Sequence, residues 1–213
     1  MKKYRAVLIL TSIIILLPIV AGCLLWNQLP DSMVTHFSFD GTANGWSSKA
    51  FTVFGLPLIL LAVHLICVFA TANDPKHPNM SKKLFAIVLW ICPIASILIA
   101  VECYSYELGY PMNIGKHMMV LISLMLIVMG NYLPKCRQNY TMGIKLPWTL
   151  NDEENWNHTH RMAGYLWILC GIVMFINAFM MKPWLLYVVV AVAGGIPTVY
   201  SYVYYLRHGK KKE

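Results

Sequence analysis

The sequence predicts an all-α integral membrane protein with six transmembrane helices, and three observations support this. Hydrophobic residues make up 58% of the 213 residues and charged residues only 12%, whereas a soluble domain averages about 25% charged residues. Apolar runs recur at about the 20 residues that a helix needs to cross a bilayer. Basic residues concentrate on alternate connecting segments, as in multi-pass membrane proteins.

The apolar runs define the expected elements. They cover approximately residues 6–26, 51–72, 84–103, 117–133, 161–181 and 184–206. Because most connections are short, we expect a single six-span domain, 1–213, with two longer loops at 27–50 and 134–161. The start of the chain would also suit a lipoprotein signal ending at Cys23. Five further spans favour an ordinary first helix instead.

The basic residues predict the orientation. With the N-terminus inside, the cytoplasmic segments hold fourteen of the seventeen Lys and Arg residues, and the outer segments hold only Lys49, Lys116 and Lys182. Asp and Glu divide almost evenly between the two sides. The positive-inside rule therefore predicts that both termini are cytoplasmic, and it accounts for the net charge of +8 without direct nucleic-acid binding. The basic tail, 207–213, can contact membrane lipids.

The two longer loops share an ordered motif. Each follows an Asn-x-Leu-Pro sequence, at 27–30 and 131–134. Gly41 is then followed five residues later by Trp46 and a serine, and Gly143 by Trp148 and a threonine. Glycine allows a turn with positive φ, tryptophan suits the membrane interface, and the hydroxyl residue can cap the next helix. The motif favours two inverted three-helix halves, 1–104 and 105–213, with loop 27–50 outside and loop 134–161 inside.

Few polar residues lie within the predicted spans. An ionisable residue such as His64 is costly there and often functional, but it can also be a neutral histidine bonded to a neighbouring helix. We expect Glu102, at the rim of the third span, to reach water. Pro57, Pro93 and Pro197 should kink their spans.

Catalytic and metal-binding patterns are weak. Asp31, His36 and Asp40 could bind a metal, but Asp40-Gly41 and Asn44-Gly45 are dipeptides typical of turns. The six cysteines form no Cys-x-x-Cys pair and are expected to be small apolar fillers. No phosphate-binding loop or activated nucleophile can be recognised. We therefore expect no enzymatic activity, no cofactor and no metal.

Two segments resemble a known family. "LPDSMVTHFSFDGTANGW" at 29–46 is similar to the N-terminal domain of unknown function in SdpI-type membrane proteins. "GNYLPKCRQNYTMGIKLPWTLNDEENWNHTHRMAG" at 130–164 resembles that family's C-terminal signature. One departure is Lys145-Leu146, where the family more often has Arg-Thr, so a bidentate contact is lost there.

The resemblance implies an immunity protein of the bacterial plasma membrane. Such a protein protects its cell against a secreted, membrane-active peptide toxin, and some family members hold a cytosolic transcriptional repressor at the membrane. The expected contact residues are His36, Phe37 and Trp46 outside, and Tyr140, Lys145, Trp148, Glu154, His160 and Arg161 inside.

Inverted halves also suit a small transporter or flippase. Its site would lie near mid-membrane, around His64 and the kinks at Pro93 and Pro197. A membrane enzyme is the least favoured alternative.

Overall fold

A computed structural model describes residues 4–38, 41–75, 82–110 and 112–208. Its long helices confirm the six predicted spans. They run over Arg5–Leu24, Phe51–Ala72, Phe85–Glu107, Ile114–Lys135, Glu153–Met180 and Pro183–His208. The proposed metal ligand Asp40 and the end of the basic tail lie outside the described residues.

The structure contains one element that the sequence pattern did not predict, a β-hairpin in the first long loop. The order is α1 (Arg5–Leu24), β1 (Ser32–Phe37), β2 (Ala43–Ser48), a π-helical turn (Phe51–Gly55), α2 (Leu56–Ala72), α3 (Lys82–Glu107), α4 (Ile114–Tyr132), a 3₁₀ turn (Leu133–Lys135), α5 (Pro147–Asn151), α6 (Glu153–Met180) and α7 (Pro183–His208). Helix α6 begins at Glu153, eight residues before the predicted fifth span. The apolar pattern did not include these residues because the first two turns of the helix are polar.

The chain folds as two compact units. The first comprises Met1–Ala72 and Phe85–Gly115, which hold α1, the hairpin, α2 and most of α3. The second comprises Asn73–Leu84 and Lys116–Glu213, which hold most of α4 together with α5, α6 and α7.

In the first unit, hydroxyl groups of α3 anchor that helix to the backbone of α1. Tyr104 donates its hydroxyl to the carbonyl of Pro18 at 3.0 Å, and Ser96 donates to the carbonyl of Ile15 at 2.8 Å. Pro18 has no N–H, so it interrupts the helical ladder. In hydrocarbon, a hydroxyl group needs a bonding partner, and the carbonyls of Ile15 and Pro18 each supply one. A cavity of about 10 Å³ lies beside Pro18, with room for about one water molecule.

In the second unit, glycines bring α4 and α6 into backbone contact. A Cβ added to Gly164 would lie 2.8 Å from the carbonyl oxygen of Gly130 and 2.6 Å from Pro134. One added to Gly171 would lie 2.8 Å from the carbonyl oxygen of Ser123. Small residues allow such close approach between membrane helices, where dispersion forces replace the hydrophobic effect. These glycines therefore set the spacing of the two helices.

A proline and a tryptophan join α6 to α7. Pro197 lies inside α7 and cannot donate to the carbonyl of Ala193, one turn earlier. The indole N–H of Trp167 on α6 donates to this carbonyl at 2.8 Å. Ala193 is buried, so an unbonded carbonyl would be costly there. The side chain of Trp167 thus compensates for the missing backbone donor.

Three local expectations are wrong. Glu102 does not reach water, because its side chain is only 4% exposed within the first unit. Ser48 rather than Ser47 accepts from the N–H of Phe51 at the start of the second span. Thr149 lies inside α5, and Asp152 caps α6 by accepting from the N–H groups of Glu154 and Asn155.

Candidate functional site

The hairpin in the first unit is antiparallel and contains a bulge. Ser32 pairs with Ser48 and Val34 with Trp46, after which the register shifts at His36, opposite Gly45. A Cβ at Gly45 would lie 2.8 Å from the Cβ of His36, so only glycine fits this approach. Gly45 therefore belongs to β2 rather than to the predicted Asn44-Gly45 turn.

Ser38 and Thr42 lie at the two ends of the hairpin turn. Ser38 donates its N–H to the carbonyl of Thr42 at 2.7 Å, and Gly41 adopts a φ of 86°. The positive φ expected at this glycine is confirmed.

The polar side chains of the hairpin mostly bond to one another. His36 Nδ1 lies 2.5 Å from Asn44 Oδ1, and the Asn44 amide donates to the Ser38 hydroxyl at 2.6 Å. Asp31 and Lys49 form an ion pair at 3.3 Å. Within the described ranges, no group of His, Cys, Asp and Glu is arranged to hold a metal ion. These contacts give His36 and Asp31 structural roles at the base and turn of the hairpin.

The end of α3 holds one side of the hairpin. Glu107 accepts the backbone N–H of Val34 at 2.6 Å, and the ring of Phe37 packs edge-on against Tyr106 with centroids 5.4 Å apart. Met33 and Val34 are fully buried. Trp46 differs from these residues because its side chain is 58% exposed. Of the three predicted contact residues here, Trp46 presents the largest accessible aromatic surface.

The second candidate region is the signature loop, defined as residues 135–161, in the second unit. Asn139 is buried and organises its first turn, accepting from the N–H groups of Thr141 at 2.9 Å and Met142 at 2.7 Å. Asp74 accepts from the Tyr140 N–H at 2.8 Å and from the Thr141 hydroxyl at 2.5 Å. The sequence interpretation missed both Asn139 and Asp74. The asparagine lay inside the quoted motif, but Asp74 carried no signal because it is distant along the chain.

A tryptophan and a histidine form the interior of the signature loop. Trp156 donates its indole N–H to the carbonyl of Cys136 at 2.7 Å, and its ring stacks on His160 with centroids 3.9 Å apart. His160 Nδ1 donates to the carbonyl of Trp156 at 2.8 Å, and Nε2 accepts the N–H of Ile144 at 2.9 Å. Gly143 passes this pair at a φ of 116°, where a Cβ would overlap both rings. Its predicted positive φ is confirmed.

His160 is only 1% exposed, and both of its ring nitrogens are engaged. The imidazole must be neutral, since Nε2 acts as an acceptor. The histidine therefore holds the loop in place, and its ring is not available to an external partner in this arrangement.

Cys136 lies beneath the same loop. Its thiol is buried, and the Asn139 amide donates to its sulfur at 3.2 Å. Burial raises the pKa of the Cys136 thiol, while the hydrogen bond from Asn139 acts in the opposite direction. The thiol thus stays protonated at neutral pH and behaves as a packing group.

The remaining predicted residues of the loop differ in accessibility. Trp148 is half-buried, because its indole N–H donates to the Ser201 hydroxyl at 2.9 Å and its ring packs on Tyr202 of α7. Tyr140 is 49% exposed. Lys145 is exposed and donates to the carbonyl of Thr141 at 3.1 Å. Glu154 and Arg161 lie on exposed positions of α6.

Sequence comparisons relate the chain to two family models and to one characterised protein. Residues 135–201 match the SdpI/YfhL protein family, and residues 13–61 match a domain of unknown function (DUF1648). The chain is 27% identical over 204 residues to "Immunity protein SdpI" of Bacillus subtilis (strain 168), covering 92% of this chain and 95% of that protein. These matches make the chain similar to the SdpI family. No solved structure matches it at a significant level.

The two family-model matches coincide with the two candidate regions of this protein. The first contains the hairpin with His36, Phe37 and Trp46, and the second contains the signature loop with α6 and most of α7. Together with the six apolar helices, the matches identify a multi-pass membrane protein.

His64 lies just outside these matches, in α2. Its side chain is fully buried, and Nε2 lies 3.0 Å from the Thr11 hydroxyl of α1. That hydroxyl also lies 2.9 Å from the carbonyl of Val7, to which it can donate. His64 Nε2–H can then donate to Thr11, which leaves Nδ1 as an acceptor with no partner among the described residues. This geometry fits a neutral histidine that joins two helices.

Proposed function

We propose that this protein belongs to the SdpI family and is an immunity protein of the bacterial plasma membrane that protects its cell against a secreted peptide toxin. The observation that carries the proposal is the match to an immunity protein over nearly the full length of both chains. A match of this extent covers far more than a single shared helix.

The proposal places both termini in the cytoplasm. Its support is the segregation of basic residues, with fourteen of seventeen on the segments that this orientation puts inside. Since a helix reverses side at each crossing, the hairpin after the first span then faces outward, and the signature loop after the fourth faces the cytoplasm.

The outward hairpin is the proposed contact for the toxin. Trp46 offers an exposed indole, and aromatic side chains anchor apolar peptides at the membrane interface. His36 and Phe37 help to shape the hairpin through their contacts with Asn44 and Tyr106. The Asp31–Lys49 pair leaves no net charge from these two residues, which suits an apolar peptide.

The signature loop is the proposed docking surface for a cytosolic partner, such as a transcriptional repressor. Tyr140, Lys145, Glu154 and Arg161 are exposed and could contact the partner directly. His160 and Trp148 would act by positioning the loop, because their polar groups are already bonded within the unit. Lipid headgroups would surround the remaining basic residues.

Protection of a sensitive bacterium tests the proposed function. Cells that express the protein would be challenged with the secreted peptide fraction of the strain that carries this gene. We expect protection by the unmodified chain and strong loss with Trp46→Ala. Trp184→Ala is a matched control, since Trp184 is 59% exposed at the start of α7 but lies outside the hairpin.

Equal membrane abundance of all variants is required for this comparison. Absence of protection by the unmodified chain would contradict the proposal. Loss of protection with His64→Ala, while Trp46→Ala protects normally, would favour a transport pathway within the membrane over binding at the hairpin.

A further inference from the structure

One edge of the hairpin is open, and its hydrogen-bonding register identifies the open groups. In an antiparallel pair, residues opposite each other alternate between those that bond across and those whose N–H and C=O groups point outward. The N–H of Lys49 donates to the carbonyl of Asp31 at 2.8 Å, so these residues bond across. Two positions further along each strand the same phase recurs, at Met33 and Ser47.

The backbone N–H and C=O groups of the intervening pairs must therefore point away from the partner strand. Val34 shows this direction, because its N–H donates to Glu107 outside the hairpin. The carbonyl of Ser48 also points away from β1, because it accepts from the Thr52 hydroxyl at 3.2 Å. The partner of Val34 is Trp46, whose backbone N–H and C=O consequently lie on the outer edge of β2.

The two edges of the hairpin are therefore different. Glu107 covers the β1 edge at Val34. On the β2 edge, no group within the described part of the chain bonds to the N–H or C=O of Trp46 beyond the hairpin pairing itself. Exposed edges of this kind readily accept a further strand from another chain.

We infer that the toxin binds by strand addition, with an extended segment of the peptide pairing with the backbone of Trp46 on the β2 edge. This inference rests on the proposed function and adds the recognition mode. An N–H and C=O pair on a strand edge is complemented by another extended backbone. The exposed Trp46 indole beside it supplies an apolar anchor. Backbone pairing supplies affinity with few demands on the sequence of the peptide.

The hairpin is also placed to meet such a peptide as it enters the bilayer. It connects α1 directly to the second span, and Trp26 and Phe54 pack together near its base with centroids 5.8 Å apart. The ion pair of Asp31 with Lys49 leaves no net charge from these two residues at the base. An apolar strand therefore fits the edge better than a highly charged one.

A pair of substitutions at one position separates the backbone from the side chain. Trp46→Val removes the indole and keeps the N–H, whereas Trp46→Pro removes both. Proline is tolerated on an edge strand where the N–H does not serve the ladder. Both would be made in a chain carrying Ser32→Cys and Ser48→Cys, because a disulfide between these paired positions holds the register.

Protection against the same secreted peptide fraction is the readout. Both variants lack the indole and should protect less well than the unmodified chain, so protection is measured as the lowest peptide concentration that stops growth. We expect this concentration to be about fivefold lower for the proline variant than for the valine variant, as one lost hydrogen bond implies. Equal protection by the two variants would overturn strand addition while leaving the immunity function intact. No protection by the unmodified chain would overturn both.

The oligomeric state of the purified variants tests whether a second copy of the chain, rather than the toxin, pairs with the β2 edge. If Trp46→Pro, but not Trp46→Val, converts a dimer to a monomer, then a second copy of the chain pairs with the edge, and the inference is wrong. An unchanged oligomeric state together with the fivefold difference supports the peptide strand.

Discussion

One side chain compensates for the backbone donor that a proline lacks within an apolar helix. Trp167 donates to the carbonyl of Ala193, which Pro197 leaves without a partner. The sequence shows where Pro197 lies. It does not predict which side chains compensate, because Trp167 and Ala193 meet only through the packing of α6 on α7.

The bond from Trp167 can be tested with a double-mutant cycle. Trp167→Phe should lower the free energy of unfolding by about 1 kcal/mol, since the Ala193 carbonyl is then buried without a donor. In a Pro197→Ala background the same change should cost little, because residue 197 can then donate to Ala193. Thermal unfolding in detergent measures both effects, and an equal cost in the two backgrounds would contradict the assignment.

At the scale of elements, the two candidate regions are held in place by different contacts. The hairpin depends on its bulge and on Glu107, whereas the signature loop depends on buried hydrogen bonds around Asn139 and His160. The motif spacing correctly predicts the turns at Gly41 and Gly143. It could not predict the hairpin, because strand pairing depends on register, and the Asn44-Gly45 dipeptide is more typical of a turn.

The buried asparagine should control the reactivity of Cys136. In the native loop the raised pKa keeps this thiol protonated near neutral pH, and alkylation requires the thiolate. Asn139→Ala should loosen the loop and expose the thiol to water, which lowers the pKa of Cys136 by more than the lost Asn139 hydrogen bond raises it, so that maleimide labelling of Cys136 accelerates several-fold. Asn157→Ala, at an exposed position of α6, is the control.

The difference in labelling rate between Asn139→Ala and the wild type should depend on pH in a defined direction. The excess rate should be large near neutral pH and shrink as the pH rises above the native pKa, where both proteins carry the thiolate. Peptide mass spectrometry at Cys136 provides the rates. Equal labelling of the wild type and Asn139→Ala at neutral pH would show that Asn139 does not order the loop.

The contact between α4 and α6 should tolerate no side chain at its glycines. Gly164→Leu would force the helices apart at the Gly130 carbonyl, with an expected cost of about 3 kcal/mol or failure to fold. Gly195→Leu is a matched control, since a Cβ there meets nothing within 4 Å. Thermal unfolding of both variants in detergent is the measurement, and similar stabilities would refute the proposed close contact.

For the whole molecule, composition and periodicity predict the membrane class and the six spans well, because the bilayer imposes a length of about 20 apolar residues on each helix. They predict less about the sites. His160, chosen for its position in a polar loop, is buried within it, whereas Asp74 contributes to the loop from a distant segment. A single sequence does not report such long-range contacts.

The proposed roles depend on the hairpin and the signature loop facing opposite sides of the membrane. Cysteine would be introduced at Asn44 in the hairpin and, separately, at Asn151 in the signature loop, both exposed positions, with Cys23 and Cys67 replaced by alanine. A membrane-impermeant maleimide should label position 44 in intact cells and position 151 only after the cells are opened. Labelling of both positions from the same side would contradict the account.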